Sequence, residues 1–216
     1  MAHIPDGVLS MPVLAAGIAV SVAGCAYGLK RLHPDRIPQV GMLSAVFFVA
    51  SLVHFPVGPS SVHLILNGLT GVALGWAAFP AILVALLLQA VLFGFGGLVV
   101  LGVNIMNMAV PAVLCGLAFR RVRRAFPGDT RVAVAAAGAA GAGGVLLTGL
   151  AVAASLALSG REFLTAAHLV VLTHLPVLVI EGAFTAAAVG LVLRVKPAVL
   201  DDPAPHSDED EGEGAP

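Results

Sequence analysis

The sequence predicts an all-α integral membrane protein: a bundle of seven transmembrane helices, N-terminus outside and C-terminus in the cytoplasm. Three observations carry this. First, 59% of the 216 residues are hydrophobic and only 11% are charged, whereas soluble domains carry about 25% charged residues. Second, the apolar residues form long runs separated by short polar punctuation. Third, the basic residues collect in alternate gaps between those runs.

The runs predict helical spans over about 11–29, 39–54, 62–77, 80–100, 104–119, 132–158 and 166–193. A spanning helix needs about 20 residues, within a range of about 17–25. The second and third runs are short, so one of them is expected to be tilted, broken or partly re-entrant. The first run has no basic region before it, so it is read as a retained span and not a cleaved leader. Residues 1–196 are therefore expected to form the membrane domain.

Orientation follows from Lys and Arg. Lys30, Arg31 and Arg36 follow the first span; Arg120, Arg121, Arg123, Arg124 and Arg131 follow the fifth; Arg194 and Lys196 follow the seventh. With seven spans these segments share one side, and only Arg161 lies opposite. Short loops rich in Lys and Arg stay in the cytoplasm. The protein is expected in the cell (inner) membrane. Residues 197–216 follow as a cytoplasmic tail. From Asp201 onward it carries seven acidic residues and three prolines, a composition expected to remain disordered.

Small residues recur at helical spacing, as Ala15, Ala19 and Ala23, as Gly71 and Gly75, and densely through the sixth run. Such spacing lets membrane helices approach closely, within the bundle or against another membrane protein. Cys25 and Cys115 both lie in apolar runs and read as packed thiols.

A polar side chain inside a membrane is costly and calls for a reason. The opening "MAHIPDGVLS" places His3 beside the terminus, ahead of a proline and an Asp6-Gly7 turn signal. Pro5 lacks an N–H and biases Ile4 to an extended shape, so the segment is expected to fold back toward the bundle. If Met1 is removed, the Ala2 amine, the His3 amide and the His3 ring can chelate one ion, with a corner left open. If Met1 is retained, amine, two amides and ring can fill all four corners. A square-planar nitrogen set favours Ni(II) or Cu(II), with Co(II) a neighbour. His63, in "HFPVGPSSVHLILNG", lies on the same predicted side and can supply the open corner. The ordinary alternative is an interfacial histidine satisfied by backbone or water.

Span seven carries "HLPVLVIEG". His174 and Glu181 are seven apart and share a helical face. Glu181 reads either as a carboxylate that orients a ligating histidine or lines the ion's pathway, or as an anchor for a neighbouring helix. Asn104 and Asn107, in "GVNIMNM", can hydrogen-bond a folded-back terminal segment or pack between helices.

Taken together, "HIPDGVLS", "SSVHLILNG" at 60–68, "LLQAVLFGFGGLVVLGVNIMNM" at 87–108 and "HLPVLVIEGAFT" at 174–185 resemble the CbiM/NikM family. These are the substrate-binding membrane components of energy-coupling-factor (ECF) transporters for cobalt and nickel. The resemblance covers nearly the whole chain except the acidic tail. It implies seven helices with an outer N-terminus. It implies metal ligands at Ala2 (or Met1), His3 and His63, with Ni2+ or Co2+ as the transported substrate. Its implied partners are an ECF transmembrane coupling protein, ATPase subunits and often a small accessory membrane subunit, with no nucleic acid. No Gly-rich Walker pattern appears, so no ATP site is expected in this chain. Ala2 stands where the family usually has histidine, and His63-Leu-Ile-Leu stands where cobalt-type members show His-Pro-Thr-Gly. The second difference leaves nickel and cobalt both open.

The resulting expectation is a metal-uptake component, not an enzyme. Its rivals are a proton-coupled transporter using His174 and Glu181, an intramembrane metallohydrolase, for which no His-Glu-x-x-His motif appears, and a structural assembly subunit.

Overall fold

The computed structural model describes residues 3–57 and 60–200, without the side chains of residues 54–62. Among the described residues it has seven α-helices and one two-stranded hairpin. Helix α1 spans Met11–Lys30, with Pro12 in its first turn, where a missing N–H goes unnoticed. A 3-10 turn at Pro34–Arg36 leads into α2, Ile37–Ala50. Strands β1 (His54–Val57) and β2 (Ser60–His63) pair antiparallel, with His54 opposite His63. Helix α3 is only Asn67–Leu74, and a 3-10 turn at Gly75–Ala77 joins it to α4, Ala78–Phe93. The long helices follow: α5 Leu101–Ala125, α6 Thr130–Ser159 and α7 Leu164–Val195. Asp129 caps α6 by accepting the N–H groups of Arg131 and Val132 at 2.9 and 3.0 Å.

The helices keep the predicted order, but the middle of the chain departs from the predicted spans. Five helical runs are long and apolar enough to cross a membrane, and α2, at 14 residues, is not among them. The expected span 62–77, one of the two runs expected to be tilted, broken or partly re-entrant, is broken into the end of a hairpin, a three-residue link and an eight-residue helix. The expected span 80–100 stops at Phe93, because Gly94, Gly96 and Gly97 take positive φ values of 66°, 77° and 151°. The run Asn67–Phe93 counts as one long apolar segment, yet it doubles back at Gly75–Ala77. Ala73 meets Arg36 at one end of the bundle, while Phe95 returns to His3 at the other.

Glycines set the closest helix contacts. A Cβ on Gly71 would strike the Ala112 carbonyl, and one on Gly116 would strike that of Gly71, so α3 and α5 meet backbone to backbone. A Cβ on Gly68 would lie 2.6 Å from Gly141 Cα, which brings α3 equally close to α6. Large apolar side chains point outward: Leu172, Val179 and Leu191 are 60%, 68% and 63% exposed. In a protein surrounded by lipid that surface is stable. Cys25 and Cys115 are free thiols. The tail beyond Leu200 and residues Met1 and Ala2 lie outside the described residues.

The bundle therefore has two ends. Asn104 lies in the first turn of α5 and Arg120 near its last, about 24 Å apart at 1.5 Å rise per residue. His3, His63 and Phe95 belong to the first end, and the arginines after α1 and in the last turns of α5 to the second.

Candidate metal centre

The segment from His3 to Ser10 lies across the bundle end and is tied down at four points. The Ile4 N–H donates to Asn104 Oδ1, and Asn104 Nδ2 donates back to the Ile4 carbonyl, both at 3.1 Å. One amide side chain thus pairs with the extended residue as a neighbouring strand would. The Asp6 N–H donates to the Gly96 carbonyl at 3.3 Å. Asp6 Oδ1 accepts the Val100 N–H at 3.0 Å, at the start of α5, where a carboxylate suits the helix dipole. The Ser10 N–H donates to Ser159 Oγ at 3.1 Å. Ile4 and Leu9 add apolar anchors against Val100, Val103, Val152 and Leu156. Gly96 permits the approach: a Cβ there would lie 2.7 Å from Asn104 Nδ2.

This strap delivers His3 to His63. The two rings stack with centroids 5.0 Å apart and 23° between planes. They are 7% and 3% exposed, and Phe95 packs on His3 at 6.1 Å. His63 Nδ1 lies 2.8 Å from the Leu64 carbonyl oxygen. An N–H at that nitrogen donates to the carbonyl, and the tautomer it selects presents Nε2 as a lone-pair donor, the usual way a second hydrogen bond orients a ligating imidazole.

What holds His63 comes from α7. Glu181, fully buried, accepts the backbone N–H groups of both Ile65 and Leu66. Leu66 N lies 2.8 and 2.9 Å from its two oxygens. Leu66 sits in the left-handed region, φ 55° and ψ 19°, just before α3 begins. For a leucine that conformation costs about 1–2 kcal/mol. Two buried hydrogen bonds, each contributing about 0.5–1.5 kcal/mol, offset that cost. Asn67 fixes the next residue: its Nδ2 donates to the Met108 and Gly144 carbonyls at 3.1 and 3.3 Å and to Thr148 Oγ1 at 2.8 Å. The irregular backbone from Leu64 to Leu66 therefore lies inside protein, the condition under which non-helical chain is tolerated at membrane depth.

Of the sequence candidates, His3, His63 and Asn104 come together at one end, and Glu181 reaches them through the backbone of the His63 segment. Two others stand apart. Asn107 accepts from Ser155 Oγ at 3.2 Å, tying α5 to α6. His174 Nδ1 lies 2.6 Å from the Val170 carbonyl in its own helix. His174 and Glu181 share a face but make no hydrogen bond to each other among the described residues, and Glu181 has both oxygens on the α3 entry. Sequence reading missed Asp6 as the cap of α5 and Phe95 as the partner of His3; Asn67 stood out as a polar residue in an apolar run, but without its role at the start of α3. The Phe-Gly-Phe-Gly-Gly stretch at 93–97 was the available signal for Phe95, since its glycines end α4 beside the strap.

Among the described residues no three His, Cys, Asp or Glu side chains gather. Two buried imidazoles alone leave a four-coordinate ion incomplete, so further donors must be backbone or lie in Met1 and Ala2, which are outside the description.

A family profile described as the cobalt uptake substrate-specific transmembrane region, CbiM, matches residues 3–199. A Haemophilus influenzae chain provisionally named as a metal transport protein is 42% identical over 203 residues, covering 92% of this chain and 97% of that one. The cobalt transport protein CbiM of Geobacter sulfurreducens is 32% identical over 213 residues, covering 92% of this chain and 61% of the relative. A crystal structure of a transition metal transporter superposes with a TM-score of 0.74 at 26% identity, over 89% of this chain and 93% of that one. These are transport proteins and not enzymes, and the apolar helices mark a multi-pass membrane protein. The chain belongs to the CbiM family of substrate-specific transmembrane components of metal uptake.

Proposed function

We propose that this chain captures a divalent transition-metal ion, nickel or cobalt, at the end of the bundle that carries His3 and His63. The observation that carries the reading is the stacked, buried pair of imidazoles, one on the strap and one on the hairpin exit, each fixed by its own hydrogen-bond set. The two rings supply two nitrogen donors. Backbone nitrogens leading into His3, with Ala2 or Met1, supply the rest. Nitrogen donors in a plane favour Ni(II) or Cu(II) by geometry and not by raw affinity, with Co(II) a neighbour. The cobalt and nickel transport names of the relatives support the same cargo.

The basic residues support an orientation with the metal end outside and the arginine end in the cytoplasm, with α1 to α7 forming seven membrane-embedded helices in the cell membrane. Energy then comes from partner ATPases acting through an ECF-type coupling membrane protein, with a small accessory subunit as a further partner. Ala15, Ala19 and Ala23 are exposed on α1 and offer a face on which a partner helix can pack closely.

The test is equilibrium dialysis of the purified chain against Ni(II) and Co(II). One ion per chain is expected, lost in His3→Ala and in His63→Ala while thermal unfolding in detergent is unchanged. Stoichiometric binding that persists in both variants would refute the site.

A further inference from the structure

One buried amide departs from the pattern the others keep. Gln39, Asn67, Asn104 and Asn107 each hydrogen-bond through at least one side-chain atom. Gln89, on α4, is 0% exposed and among the described residues has a partner at neither Oε1 nor Nε2. Buried polar side chains are almost always paired, and an unpaired amide in apolar surroundings is destabilising. Its neighbours on α4 are leucines and alanines, and a leucine at 89 would suit the span better. A local choice that weakens the fold without a compensating contact is what a functional position shows.

Placement says which function. The Gln89 carbonyl accepts the Phe95 N–H at 3.3 Å, so Gln89 lies directly beneath the loop whose Phe95 packs on His3. It shares the buried face of α4 with Ile82 and Leu86. Those two belong to the core cluster that holds Ile65, two residues beyond His63, and Ile105 and Met108 of α5. From Gly94, where α4 ends, to Gln89 is five residues, about 7.5 Å along the helix. That step leads away from the imidazoles and toward the arginine end. The amide therefore sits between the metal end and the apolar core.

The chemistry fits an ion in transit. Imidazole nitrogens suit Ni(II) and Co(II), whereas a carboxamide oxygen is a weaker donor for them. A site on a pathway must bind well enough to admit the ion and weakly enough to release it. We infer that Gln89 is the first inward contact of the ion: Oε1 accepts the divalent transition-metal ion as it leaves His3 and His63. The inference rests on the metal reading above and adds a step after capture.

The test compares the unaltered chain with Gln89→Leu and Gln89→Met, which remove the oxygen and keep an apolar side chain of similar reach. Melting temperature in detergent is expected to stay or rise, because an unpaired buried amide is gone. Ni(II) affinity of the purified chain by equilibrium dialysis is expected to be unchanged. Radioactive Ni(II) uptake is measured in the native host with the chromosomal copy replaced by each variant. Its maximal rate is expected to fall about tenfold with KM unchanged, the pattern of a step that follows binding. If one variant misfolds, the other decides. Undiminished uptake in a folded variant overturns the inference and leaves Gln89 a packing residue. Reduced uptake matched by reduced affinity also overturns it, by placing Gln89 in capture, and so does reduced uptake matched by a lower melting temperature in both variants. An unaltered chain that binds no Ni(II) would instead remove the metal reading itself, and this step with it.

Discussion

Helices α6 and α7 run 30 and 32 residues and are joined by a short turn. The stretch from His54 to Leu74, by contrast, divides into a hairpin, a three-residue link and an eight-residue helix. The long pair satisfies its backbone hydrogen bonds internally and needs only small residues to pack, as Gly138 does against Gly182. The broken stretch cannot do this. Its link borrows acceptors from Glu181, and its helix start is fixed by Asn67; the terminal strap in turn is fixed by Asn104. The contrast explains why deep polar side chains concentrate where they do. Glu181, Asn67 and Asn104 serve irregular backbone, and that backbone carries the two imidazoles.

Substitutions can break or sharpen this comparison. The largest effect is expected from His63→Ala, which removes a proposed ligand without disturbing a helix. Ni(II) affinity should fall at least 100-fold, to the upper limit of about 100-fold seen for outer-shell partners or beyond, with an unchanged melting temperature in detergent. Glu181→Ala comes next, because it leaves the Ile65 and Leu66 N–H groups buried without an acceptor. A loss of about 3 kcal/mol in unfolding free energy is expected, together with weakened metal binding; Glu181→Gln, keeping one acceptor, should lose less of both. Gly141→Ala probes the long pair, since its Cβ would lie 2.7 Å from the Glu181 carbonyl. It should destabilise by about 2 kcal/mol and alter metal affinity less than Glu181→Ala does. Asn104→Ala releases the strap and should weaken Ni(II) binding by about tenfold, the equivalent of about 1.4 kcal/mol, while stability changes little. Leu172→Ala, on the lipid-facing surface, should stay within about 0.5 kcal/mol. Equal stability losses at Glu181 and Leu172 would erase the distinction between the two regions.

The same contrast marks how far the sequence was legible. Long apolar runs with basic ends gave α1, α6 and α7 to within two residues of their boundaries, whereas α5 continues through Arg120 and Arg124 to Ala125, beyond the apolar run that marked it. His3, His63 and Asn104 stood out because ionisable or amide groups are conspicuous in apolar surroundings. Glu181 was conspicuous too, but its role was open between pathway and anchor until Ile65 and Leu66 were seen to donate to it. The short α3 was hidden because "SSVHLILNGLTGVALGW" is equally apolar through hairpin exit, link and helix, and hydropathy does not register a left-handed leucine at 66. Asp6 was read as a turn residue because its acceptor role depends on Val100, 94 residues away.

The central claim is that imidazoles from the strap and from the hairpin exit share one metal ion. X-ray absorption of the Ni(II)-loaded chain tests it most directly. The expected spectrum has a first shell of nitrogen or oxygen only, with the outer scattering of two imidazoles, falling to one in His63→Ala loaded with Ni(II) in excess of its weakened Kd. A sulfur scatterer, or an imidazole contribution that His63→Ala leaves unchanged, would contradict the account.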